Sequence, residues 1–330
     1  MMTRLAGGLV FILAALFSLG WFMMSHPWSG GAQPPAESNK TRDAFAADRD
    51  NGFDSRRALG YIGDICKIGP RISGTEGMKR QQELLRKHFE ALGGKVELQR
   101  FTARQHSRRQ PTEMANLMVS WHPERRRRVI ICSHYDTRPI ADQERDHRKW
   151  HEPFLSANDG GSGVAFLMEL AHQMKDLPTE VGVDFVLFDG EEYIFDPQGD
   201  QYFFGSEQFA TAYRQNRGGR HYLGAVLLDM IAGPNPQFPI ERNSRANAGA
   251  LVTDLWQIAA AQGCAAFRSE DGPDVRDDHI ALNRAGIPAV DIIDFSYPHW
   301  HKLSDVPENC AADGLLQVGS VLHVWLRQIR

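Results

Sequence analysis

Four short apolar runs constrain this chain more than any other feature: 128–133 (RVIICS), 183–188 (VDFVLF), 225–228 and 289–293. They are rich in β-branched residues and show little polar alternation, so each reads as a strand covered on both faces. Stretches with helical spacing lie around them: 78–92, which stops at Gly93-Gly94, then 162–177, 206–214, 247–261 and 312–330, with a shorter one over 277–285. This alternation specifies an α/β fold, a single globular domain whose central sheet is mixed but mostly parallel, with helices on both faces. In such sheets the site lies beyond the carboxyl ends of the strands. The polar residues that end each run are therefore the candidates for function.

Those residues share a chemistry. The first run ends in Ser133-His134-Tyr135-Asp136, and Asn158-Asp159-Gly160-Gly161 sits just before a helix. The next run leads into Asp189-Gly190-Glu191-Glu192, and another ends in Asp229. Further on come Asp277-Asp278-His279 and His299-Trp300-His301. Singly, each has an ordinary explanation. Asp159 and Asp277 could cap helices, and Glu191 and Glu192 could be solvated charges. Together they would bring acidic and imidazole groups to one sheet edge, where like charges repel unless a cation neutralises them. Mixed His/Asp/Glu ligation suits zinc, and an incomplete protein shell leaves a position for substrate. Adjacent residues at a strand end point in different directions, so one glutamate can bind metal while its neighbour stays free to move a proton.

Composition removes several other classes. At 42% hydrophobic and 24% charged, the 330 residues are ordinary for a globular protein. The net charge of −4 gives no basic field for nucleic acid. The arginines at 125–128 read as a solvated turn before a strand. Cys66, Cys132, Cys264 and Cys310 are too few and too scattered for a disulfide scaffold, and Cys132 reads as a buried free thiol. Residues 5–24 carry no charge and are long enough to span a bilayer as a helix, with Arg4 before them. The expectation is an N-terminal transmembrane anchor or signal segment over 1–25, a flexible linker over 26–52, and a catalytic domain over 53–330. An uncleaved anchor is preferred to a cleaved signal peptide, and either exports the domain to a periplasm or cell surface.

Taken in order, Gly69-Pro70-Arg71-Ile72-Ser73-Gly74-Thr75, His134-Tyr135-Asp136, Asn158 to Gly163, Asp189-Gly190-Glu191-Glu192, Leu228-Asp229 and His301 resemble the co-catalytic zinc aminopeptidases and their relatives, the glutaminyl cyclases. The resemblance runs from Gly69 to the C-terminus. Trp300 directly before His301, the Asp277-Asp278-His279 segment, Pro234-Asn235-Pro236 and the stretch through Arg138-Pro139 to Ala141-Asp142-Gln143 are similar to bacterial cyclases in particular. The cyclase resemblance implies one zinc held by Asp159, Glu192 and His301. It implies Glu191 as acid/base, Asp229 and Asp277 as its hydrogen-bonding partners, and Trp300 as a wall around the substrate side chain. The reaction would convert the N-terminal Gln of a peptide or protein to pyroglutamate with release of ammonia. The alternative branch is an aminopeptidase with two zinc ions on His134, Asp159, Glu192, Asp229 and His301, Asp159 bridging. His299 also flanks Trp300, and the order Trp-His-x-x-x-Asp ending at Asp305 favours His301 as the ligand. A non-catalytic metal site would have no use for a free Glu191. The partners implied are substrates with a free N-terminus and the membrane, with no nucleic acid.

Overall fold

The computed structural model describes residues 52–216 and 218–330, so the 1–25 segment and all of the linker but its last residue lie outside the described residues. Among the described residues no helix is long and apolar enough to cross a membrane. In chain order the elements are α1 (Ser55–Cys66), α2 (Glu76–Ala91), β1 (Lys95–Ala103), β2 (Thr112–Trp121), β3 (Arg127–His134), α3 (Gly161–Met174), β4 (Gly182–Phe188) and α4 (Phe204–Gln215). There follow β5 (His221–Asp229), β6 (Phe238–Ile240), α5 (Arg242–Ala261), β7 (Phe267–Asp271), α6 (His279–Arg284), β8 (Ala289–Ile293) and α7 (Ala312–Gln328).

Six strands form one sheet in the order β1-β2-β4-β3-β5-β8, while β6 and β7 pair separately. The four strands read from the apolar runs, β3, β4, β5 and β8, are mutually parallel. They are buried along most of their length, as a sheet covered on both faces requires. Period-2 alternation sorts their side chains. Val129, Ile131, Phe185, Leu187, Val226 and Leu228 join a core with α1, α2, α3, α5 and α7. Ile130, Cys132, Val186, Phe188, Ala225 and Leu227 face α4 and α6 on the other side.

Several elements differ from the sequence reading. Strands β1 and β2 add antiparallel to the β4 side of the sheet. A search for unbroken apolar runs passes over β1 because its burial alternates along an edge strand. Helix α5 starts at Arg242 rather than at 247, because Glu241 caps it by accepting from the Asn243 and Ser244 amides. Ala248 interrupts that helix with a φ of −135°, so only its second half shows clean helical spacing. The arginine run is not a solvated turn throughout. Arg126 and Arg127 are exposed, but Arg128 is 1% exposed and pairs with Asp184. All four cysteines are free thiols.

Candidate metal centre and active site

The carboxyl ends of β3, β4 and β5 converge. β3 ends at His134 and β5 at Asp229, while β4 runs through a turn at Gly190 (φ 74°) to Glu191 and Glu192. The 156–160 segment reaches the same place from the start of α3, and the loop after β8 brings Trp300 and His301. Asp159 is not the helix cap that its position suggested. The cap residue is Gly160, with no side-chain bond, and the Asp159 carboxylate turns into the cluster. Gly160 has φ 70°, and a Cβ there would stand 2.7 Å from His134 Cε1, so only glycine lets the chain pass. Asp277 likewise lies outside the α6 cap, which is Asp278.

Two buried carboxylates hold the loops that carry these groups. Asp136 accepts from the backbone amides of Glu191 (3.1 Å) and Glu192 (3.2 Å). Asp305 accepts from those of Asn158 (2.9 Å) and Asp159 (3.1 Å), and from the Tyr297 hydroxyl at 2.9 Å. A carboxylate with two oxygens can bridge two successive amides, which fixes the direction of the side chains between them. The Gly69–Thr75 motif supports the same loops from behind. Arg71, fully buried, donates to the carbonyls of Leu155 and Ser156, and Ser73 donates to Asp189 at 2.7 Å. Spacing alone could not reveal these supports, since the bonded residues are up to 147 positions apart.

Asp159 stands at the centre of the acidic cluster. Its Oδ1 lies 3.1 Å from His134 Nε2, which is 3.4 Å from Asp229 Oδ1. Its Oδ2 lies 3.5 Å from His301 Nε2, which is 3.2 Å from Glu192 Oε2. Ligand atoms of His134, Asp159 and Glu192 lie within 4.8 Å of one another, a spacing that one metal ion could bridge. Asp159 Oδ2 and Asp229 Oδ1 are buried and have no hydrogen-bond partner. Orphaned carboxylate oxygens beside two imidazoles are the donor set that a divalent zinc takes. The residues therefore fit the metal that the sequence pattern implies.

Electrostatics point the same way. Burial, together with neighbouring Asp159, pushes the Glu192 carboxyl up to about 7. Burial and Asp229 push Asp277 up to about 7 as well. Glu191 is raised well above its ordinary range, chiefly by burial, and its Oε2 lies 3.9 Å from His134 Nδ1. Burial also works against Asp159, but the His134 and His301 rings outweigh it and hold this carboxyl below its ordinary value. Carboxylates packed this closely cannot all ionise without a cation.

A cavity of about 300 Å³ opens onto the cluster. Glu191, Asp229, Asp277 and Arg138 line it, and Trp300 and Tyr202 lie on its aromatic side. The Trp300 ring stacks 4.1 Å from His301 and lies 4.9 Å from exposed Phe295. His299 is engaged elsewhere, its Nδ1 2.8 Å from Ser304 Oγ. A larger cavity, about 650 Å³, lies between α5 and α7 beside Leu223 and Pro288, at the other end of the strands. Asp254 is its one ionisable lining residue, so size does not mark the site and chemistry does.

Comparison with known proteins gives a consistent picture. The profile of Peptidase family M28 matches residues 116–326. The crystal structure of Fimbriiglobus ruber glutaminyl cyclase is 52% identical, with a TM-score of 0.83, covering 84% of this chain and 96% of that one. A leucine aminopeptidase precursor from Bacteroides thetaiotaomicron is 29% identical, with a TM-score of 0.79, over 84% of this chain and 98% of that one. The glutaminyl-peptide cyclotransferase of Bos taurus is 24% identical over 64% of this chain, and the match spans 65% of the bovine protein.

Proposed function

Because the chain belongs to Peptidase family M28 and shares 52% identity with a bacterial glutaminyl cyclase, we propose that it is a glutaminyl-peptide cyclotransferase. Its substrates would be peptides or proteins with an N-terminal Gln, and its products the pyroglutamyl peptide and ammonia. The observation that carries this reading is the 52% identity across 96% of a solved glutaminyl cyclase.

In this reading Asp159, Glu192 and His301 would hold one zinc, in line with the short distances of Asp159 and Glu192 to His301 Nε2. When bound, zinc supplies Lewis acidity to the γ-carbonyl oxygen of the substrate glutamine. Glu191 takes a proton from the α-amine as that nitrogen attacks the carbonyl carbon of the side-chain amide. It returns the proton to the departing amide nitrogen, which leaves as ammonia. The C–N bond of the new ring replaces the C–N bond of the side-chain amide, so no water is consumed. A raised Glu191 carboxyl suits both halves of this exchange. Asp229 and Asp277 line the same cavity, where they would seat the α-amine. Trp300 would wall the side chain and exclude water, which would otherwise hydrolyse the amide.

The second reading, a two-zinc aminopeptidase, has one observation in its favour. The two oxygens of Asp159 face different imidazoles, with Asp229 beside His134 and Glu192 beside His301. Mass spectrometry separates the readings. Full-length protein with zinc is incubated with one peptide beginning in Gln and another beginning in Leu. Loss of ammonia from the first, with the second intact, is the expected result. Removal of either N-terminal residue would replace the cyclase by the peptidase. Residues 5–24 complete the proposal: they would anchor the protein in a membrane with the catalytic domain exported, a reading supported by their length and lack of charge.

A further inference from the structure

Residues 138–144 leave β3 and strap two groups of the ligand set together. The Arg138 amide donates to Glu192 Oε1 at 2.9 Å, which leaves Oε2 for His301 Nε2 at 3.2 Å. On the far side of that ring, Asp142 Oδ1 lies 2.9 Å from His301 Nδ1, with the ring N–H off the line between the two atoms. The Gln143 amide donates to the His301 carbonyl at 3.2 Å, and Glu144 Oε1 accepts from the Leu303 amide at 3.0 Å. His301 is held in the left-handed region at φ 52°, which a non-glycine residue keeps only where its surroundings over-determine it.

Asp142 is itself gripped. Arg138 donates from Nε to Oδ1 at 3.1 Å and from Nη2 to Oδ2 at 2.7 Å. Nη2 also donates to the Tyr202 hydroxyl at 3.1 Å. Arg138 is 1% exposed, and its Nη1 is buried without a partner. Burying such an ion pair gains little stability over apolar residues of the same volume. Its geometry serves something else: an imidazole that meets a metal through one nitrogen is commonly oriented by a carboxylate at the other.

We propose that Asp142, oriented by the Arg138 fork, is the positioning residue for His301, accepting the hydrogen bond of Nδ1–H when zinc is held so that the Nε2 lone pair faces the metal. The proposal rests on the reading of His301 as a ligand. The experiment measures the zinc Kd of the full-length protein by competition with a chromophoric chelator, for the wild type, Asp142→Asn, Asp142→Glu and His301→Ala. Asp142→Asn should weaken zinc binding by about 10–100-fold, with Asp142→Glu recovering part of the loss. The zinc-free Asp142→Asn protein should also lose stability, because the buried Arg138 charge loses its anion, so the Kd is read well below its thermal midpoint. Weakened binding in His301→Ala with wild-type affinity in Asp142→Asn overturns the proposal. Wild-type affinity in His301→Ala overturns instead the ligand reading beneath it. Should Asp142→Asn fail to fold, Arg138→Lys keeps the cation but loses the fork. It should weaken zinc several-fold, and an unchanged Kd there overturns the proposal as well.

Discussion

Strand β4 is flanked by buried carboxylates at both ends, and the molecule treats them oppositely. At the start, Asp184 is fully buried and fully partnered. Arg128 donates to it from Nε at 2.8 Å and Nη2 at 2.7 Å, Ser120 at 2.6 Å and Tyr222 at 2.7 Å. The remaining Arg128 donors reach the carbonyls of Trp121, His122, Arg125 and Val183. Beyond the other end, Asp159, Glu191, Glu192, Asp229 and Asp277 crowd together with imidazoles, Arg138 at the cavity wall is paired with Asp142, and two oxygens have no partner. β3, the parallel neighbour, runs from one cluster to the other, and its 8 residues set them roughly 25 Å apart. The difference separates two uses of buried charge. A cluster that neutralises itself closes the end of a sheet. A cluster left short of positive charge can accept it from outside, which in the proposed function is a cation and a substrate amine.

If that distinction is right, substitutions at the two ends must fail in different ways. The largest effect is expected at Glu191. Glu191→Gln should cut cyclisation of a Gln-peptide by about 10²–10⁴-fold while leaving the thermal midpoint unchanged or higher, because a buried carboxylate is removed. A variant that keeps wild-type kcat would end the acid/base role. Asp184→Ala should do the reverse. It strands the buried Arg128 charge, so denaturant titration should show a loss of about 3–5 kcal/mol, with KM of the folded fraction unaltered. A stability near wild type would dissolve the comparison.

Metal separates the clusters next. Zinc at one hundred times its Kd should stabilise the metal-free wild type by about 2.7 kcal/mol. Asp159→Asn should lose most of that increment and Asp184→Ala should keep it, as calorimetric scans with and without chelator would show. The smallest effect sharpens the comparison with a third buried carboxylate. Glu241 accepts from the amides of Asn243, Ser244 and Val275, and lies 3.2 Å from His279 Nε2. Burial raises its carboxyl, but His279 and the amides outweigh that and bring it down to about 2, from an ordinary 4.5. A depressed carboxyl stabilises the fold above its unfolded value and loses that contribution as pH falls. Wild type should therefore exceed Glu241→Gln by about 1–3 kcal/mol at pH 6, and the gap should narrow below pH 4.5 and close near pH 2. A gap independent of pH would mean that the cap acts through shape and not through charge.

Much of this was legible along the chain. The apolar runs gave β3, β4, β5 and β8, and the groups ending them, His134, Glu191, Glu192 and Asp229, do meet at one edge. Strand β1 escapes because an edge strand needs only one covered face and leaves a weaker pattern. Arg128 reads as solvated in the sequence because its identity says nothing of Asp184, 56 residues away. Asp136, Asp142 and Asp305 could be seen as acidic residues near motifs, but their partners could not be seen at all.

The residues alone settled the class of fold and the kind of chemistry, since periodicity and side-chain type are local properties that survive being written in a line. What the tertiary structure decided was which carboxylate holds a loop and which faces the cavity. Asp136 and Asp305 accept backbone amides and are structural; Asp159 and Glu191 are identical in chemistry but have their oxygens turned to the cluster. A carboxylate's role depends on whether donors already satisfy it, and those donors come from segments that only folding brings together.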